Sequence, residues 1–101
     1  MGTRIELQKL LEEILGSRNV YFQPPENLKM SYPAIVYTHN GIDNVYADDS
    51  VYIQSLEYQI TVIDKNPDGD IWLKVSKLPG CRHDRNFKSD NLNHYVFTLT
   101  F

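Results

Sequence analysis

The sequence predicts an α+β fold: a mostly antiparallel sheet with two helices packed on one face. Three observations carry this. The chain opens on an amphipathic pattern of helical period. Two later runs, about 51–63 and 94–101, alternate apolar and polar residues with period two. Clusters of Asp, Asn, Gly and Pro cut the remainder into short strands and one further short helix, giving the order α-β-β-β-α-β-β. With 101 residues, 42% of them apolar, the chain is expected to form a single domain over 1–101 that needs no metal or disulfide to fold.

The first helix is placed at 4–15. Thr3 and Glu6 have the spacing of a capping box, in which each side chain satisfies a backbone N–H at the helix start. Ile5, Leu7, Leu10, Leu11, Ile14 and Leu15 recur at helical spacing, and Gly16 stands where a left-handed cap is wanted. Residues 20–23 form a short β-type run that Pro24 and Pro25 cut off, since neither has an N–H for a ladder. A second strand is expected at 34–39. The polar stretch 40–50, with Gly41, Asn44, Asp43, Asp48 and Asp49, reads as a mobile loop.

The longest strand is placed at 51–63, with Leu56, Tyr58, Ile60 and Val62 on one face and Ser55, Glu57, Gln59 and Thr61 on the other. Dense turn chemistry at 64–70 ends it. A short helix over 70–78 follows, with Ile71, Val75 and Leu78 in line, stopped by Pro79-Gly80. A short strand at 81–87, a turn at 90–93 and a last strand at 94–101 complete the chain. In that last strand Tyr95, Phe97, Leu99 and Phe101 share one face.

Several function classes are disfavoured by composition. A net charge of −3 and a pI near 5.5 oppose a general electrostatic grip on nucleic acid. No apolar run is long enough for a membrane span, and the N-terminus lacks the apolar region of a secretory signal. Cys81 is the single cysteine, so neither an internal disulfide nor a four-cysteine zinc site is available within one chain. No nucleophile elbow, phosphate-binding glycine loop or zinc-protease motif is present, and no catalytic residue or cofactor is assigned.

Two local patterns invite chemistry. Asp64, Asn66, Asp68 and Asp70, with Gly69 and Ile71, match the opening of a calcium-binding EF-hand loop. The bidentate Glu of that loop is replaced by Val75, and the preceding segment reads as a strand. A turn that caps the next helix is the preferred reading, with a small calcium-binding module as the alternative from another class. Cys81, His83 and Asp84 put a thiol, an imidazole and a carboxylate close together, but a half-buried structural cysteine beside solvated charges explains them more simply.

The charges fall in blocks. From Asp43 to Asp70 there are seven acidic residues and one basic; from Lys74 to Lys88 there are five basic and one acidic. Two solvated faces would account for this. A head-to-tail contact between copies would use it, and such heterologous contacts can close into rings. Tyr46 and Tyr52, in and beside the acidic stretch, are candidate aromatic anchors of such an interface, while Tyr58 and Tyr95 read as core.

Five runs carry a resemblance to a known family: Asn19-Val20-Tyr21-Phe22-Gln23-Pro24-Pro25, Tyr32-Pro33-Ala34-Ile35-Val36-Tyr37, Tyr58-Gln59-Ile60-Thr61-Val62-Ile63-Asp64-Lys65-Asn66-Pro67-Asp68, Leu78-Pro79-Gly80-Cys81 and Asp90-Asn91-Leu92-Asn93-His94-Tyr95-Val96-Phe97-Thr98-Leu99. Together they resemble small proteins encoded in tailed-phage and prophage morphogenesis modules, the neck and tail-completion proteins typified by tail terminators. The resemblance implies an α+β subunit that forms a hexameric ring on the end of the tail tube, halts tube growth and joins the tail to the head. It brings no catalytic residues. The implied partners are further copies of the chain, the tail tube protein and head connector proteins, met in the bacterial cytoplasm during assembly and then in the virion neck. A head-closure or connector role in the same module is the near alternative. On this reading Tyr46, Asp48, Asp49 and Tyr52 are expected on one side of the ring contact, and Lys74, Arg82, Arg85 and Lys88 on its complement.

Overall fold

A computed structural model describes residues 4–25, 29, 31–47, 50–66 and 68–101, and for 41–55 it describes the backbone. The elements are α1 (Arg4–Leu15), β1 (Val20–Phe22), β2 (Ala34–Ala47), β3 (Ser50–Asp64), α2 (Ile71–Ser76), β4 (Cys81–Ser89) and β5 (Leu92–Thr100). This is the α+β order read from the sequence. The strands form one five-stranded sheet in the order β1-β2-β3-β5-β4, antiparallel except where β1 runs parallel to β2.

Helix α1 ends at Gly16, whose φ is 78° and whose N–H donates to the Glu12 carbonyl at 2.9 Å. Thr3, half of the expected capping box, lies outside the described residues. Leu7 and Leu11 are fully buried, but Ile5, placed on the apolar stripe by its spacing, is 59% exposed. The buried stripe is narrower than the sequence suggested, because the helix meets the sheet along one line.

Both helices lie on the same face of the sheet. Leu7, Leu11 and Val75 from the helices share one core with Val20, Ile35, Tyr37, Tyr58, Ile60, Val62, Tyr95, Phe97 and Leu99. The register explains the set: Ile35, Val62 and Tyr95 face one another across three strands, as do Tyr37, Ile60 and Phe97. Each such side chain contributes about 1.5–3 kcal/mol by leaving water. Trp72 of α2 lies flat on Tyr95, with centroids 4.7 Å apart and planes 3° apart, which fixes α2 over β5.

The β4–β5 hairpin turns at Asp90 and Asn91, with φ of 51° and 62°, the two-residue turn that suits strand twist. At the other end of β4, Gly80 has a φ of 79°, and a Cβ there would stand 2.7 Å from the Thr100 carbonyl oxygen. Only glycine fits that approach.

The stretch 40–50 departs from expectation. Residues 40–47 are strand, not loop: β2 continues to Ala47 and pairs with β3 from Gly41↔Glu57 to Ala47↔Ser50. Asp48 and Asp49 lie outside the described residues. Turn-forming residues argued for a loop, but the cross-strand pairs Ile42↔Leu56, Val45↔Ile53 and Tyr46↔Val51 supply the partners a ladder needs. β5 covers β3 only from Glu57 onward and β1 covers β2 only at Ile35–Tyr37, so this part of the hairpin is a two-stranded arm. Its ladder is about 23 Å long at ~3.3 Å per residue.

Candidate protein interface

The sheet ends on one side in β4, a nine-residue edge strand exposed along its length apart from Cys81. Its register slips by one residue after His83, so that Asp84 has no opposite number on β5. That extra residue brings Asp84 toward the face opposite the helices, where its Oδ2 accepts a hydrogen bond of 2.5 Å from Thr98 Oγ1. Its Oδ1 accepts one of 3.2 Å from Arg82 Nε. The Thr98 bond, assisted by Arg82 and Arg85, holds the Asp84 carboxyl below its ordinary range.

Arg82 stands opposite Thr98 and Arg85 opposite Val96, so both belong to the helix-free face. Arg85 lies 5.9 Å from the centre of the Phe87 ring, and Phe87 stacks on His94 with centroids 4.6 Å apart. Lys88 pairs in register with Asn93, which puts it on the other face. Lys74 is on α2, 3.9 Å from Asp70 one turn earlier. The predicted basic group therefore divides: Arg82 and Arg85 form a pair on the open face, Lys88 closes the far end of the same edge, and Lys74 belongs to a separate surface.

The acidic block divides too. Asp43 and Glu57 belong to the arm ladder, whereas Asp64 lies at the opposite end of β3. Tyr46 stands opposite Val51 near the arm's end, and Tyr52 is skipped in the register between Val45↔Ile53 and Tyr46↔Val51. Their backbone positions set both tyrosines on the arm.

The 64–70 turn accounts for its own residues. The Asp64 carboxylate, nearly buried, accepts the Asn66 N–H at 2.9 Å, and the Asn66 side-chain oxygen accepts the Asp68 N–H at 3.0 Å. The Asp70 carbonyl accepts the first bonds of α2 from Leu73 and Lys74. Asp70 caps with backbone alone, its side chain making no cap bond. Among the described residues no group of three His, Cys, Asp or Glu is placed to hold a metal ion.

Cys81 and His83 share the helix-side face of β4, opposite Leu99 and Phe97. Burial, with Asp84 nearby, pushes the Cys81 thiol up and favours the protonated form. The His83 ring bonds Asn86 Oδ1 and packs edge-on against Phe97. These are structural contacts. The Asp84–Thr98 pair and the Phe87–His94 stack were not read from the sequence. The alternation of β5 put Thr98 and His94 on the polar side, but nothing in the residue pattern marks a one-residue register slip.

Against models of protein families, curated proteins and solved structures, the chain finds no match. No helix among the described residues is long and apolar enough to cross a membrane.

Proposed function

We propose that this chain is a structural assembly protein of a tailed phage or prophage, which forms a ring at the tail end, terminates the tube and joins it to the head. It acts through protein–protein contacts and carries out no catalysis. One observation carries the reading: a two-stranded arm extends beyond an otherwise small α+β platform. The radius of gyration is 14.6 Å and the longest extent 50 Å against 23 Å in the other two directions. A compact chain of this length has a radius near 13 Å. An isolated two-stranded ribbon is marginal in water, so an arm of this kind is best understood as stabilised by a neighbour. The sequence resemblance to neck and tail-completion proteins supplies the identity of the assembly, with head closure or connection as the near alternative.

The test is polymerisation of a tailed-phage tail tube protein, with and without this chain. Tubes shortened and capped by a ring in negative-stain images are the expected result. Unchanged tube length together with no co-sedimentation would overturn the proposal.

A further inference from the structure

We propose that the β2–β3 arm of one copy adds as a strand to the β4 edge of the next, so that copies join head to tail. Both elements have backbone hydrogen bonding left unfinished. β4 is nine residues long, exposed, and at the edge of the sheet, so one side of its backbone lacks a strand neighbour among the described residues. The arm has the same need among the described residues: β1 stops at Tyr37 of β2, and on the β3 side the β5 end of the chain reaches only Glu57, which pairs with Thr100, and Leu56, whose carbonyl accepts the Phe101 N–H. Strand addition satisfies both ladders at once.

Charge selects which edges meet. The arm sequence 41–57 contains Asp43, Asp48, Asp49 and Glu57, with no Lys or Arg. β4 contains Arg82, Arg85 and Lys88 against one acid, Asp84, which is already engaged by Arg82 and Thr98. Two β4 edges repel each other, as do two arms. An arm on a β4 edge attracts. Same-sign charge on an edge is a recognised guard against self-pairing, and here it leaves one partner admissible. The two surfaces are distinct, so the contact is heterologous and propagates from copy to copy.

The contact supplies the ring of the assembly reading, on which it rests for closure; loss of tube binding would leave it standing, while a strict monomer would overturn it without bearing on the tube. The experiment is light scattering over a concentration and salt series, with amide hydrogen exchange on the same samples. Association that weakens with salt is expected, together with protection gained at β4 amides as concentration rises. Arg85→Glu and Asp43→Lys should each weaken self-association about tenfold or more. Combining the two in one chain, or mixing the single variants, should restore it. A circular-dichroism melt on each variant separates lost association from lost folding. A wild-type monomer up to the solubility limit would overturn the proposal, as would association that leaves β4 exchange unchanged or ignores both charge reversals.

Discussion

Tyr58 carries a hydroxyl that is buried and has no hydrogen-bond partner among the described residues. Its ring stacks on His39 at 5.1 Å and tilts against Tyr37 at 6.0 Å, so the aromatic body is well used while the oxygen is not. Burial raises the phenol's pKa, as expected of a group whose charged form is disfavoured there. A buried oxygen without a partner costs about 1–3 kcal/mol. Tyr58→Phe should therefore leave the fold unchanged and raise the denaturation midpoint, a direction opposite to most core substitutions. Chemical denaturation checks it, and a destabilised variant would show the hydroxyl to be engaged. Asp84 works the other way. Its pKa is depressed chiefly by the Thr98 bond and then by Arg82 and Arg85, so its contribution to stability is present above the ordinary carboxylate range and is lost as pH falls through the folded value. Asp84→Asn should lower stability at pH 7 while leaving the value near pH 2 almost unchanged. A pH series of melts measures this, and equal losses at both ends would assign Asp84 a role other than as an ion.

At the scale of elements, the 64–70 turn shows how one residue pattern serves two readings. Oxygens at alternate positions and a glycine suit a calcium loop, and they equally suit nested side-chain-to-backbone turns; the bonds made by Asp64 and Asn66 are of the second kind. Gly69 is fixed by close approach, because a Cβ there would fall 2.1 Å from Asp64 Oδ2. Gly69→Ala should destabilise by roughly 1–3 kcal/mol, because the Asp64 carboxylate must turn away and risks its bond to the Asn66 N–H. Calcium up to millimolar concentration should leave Trp72 fluorescence unchanged; a saturable response would restore the metal reading. The elements themselves were largely legible. Alternation marked the core-facing residues of β3 and β5, although Val96 and Thr98 on the other side of β5 are buried too, and α1 was legible from its period and the Gly16 cap. The arm was not, because Asp, Asn and Gly signal a turn locally while Ile42, Val45 and Tyr46 gain their strand partners only across the hairpin. Sheet order was also beyond reach: β5 lies between β3 and β4, a consequence of where α2 returns the chain. The candidate interface was half legible, its charges countable but their division between faces dependent on the slip at Asp84.

For the molecule as a whole, the direction taken by the arm matters as much as its length. β2 leaves the platform at Asn40, the one residue skipped between His39↔Tyr58 and Gly41↔Glu57. An extra residue in one strand bends that strand and tightens its twist. Asn40 therefore acts as an elbow, and its removal differs from an ordinary strand deletion. With Asn40 deleted, His39 and Gly41 become neighbours opposite Tyr58 and Glu57, which are already neighbours, and every pair beyond them keeps its partner. The deletion should straighten the arm without sliding it. Solution scattering should record a changed longest dimension, while the thermal midpoint moves little. A collapse in stability would show that Asn40 holds the ladder together rather than bending it. The direction in which the arm leaves the platform thus hangs on one surplus residue, with a second, Tyr52, nearer its end, so a lineage could re-aim its reach for a neighbour of different curvature by one codon gained or lost, with the core left untouched.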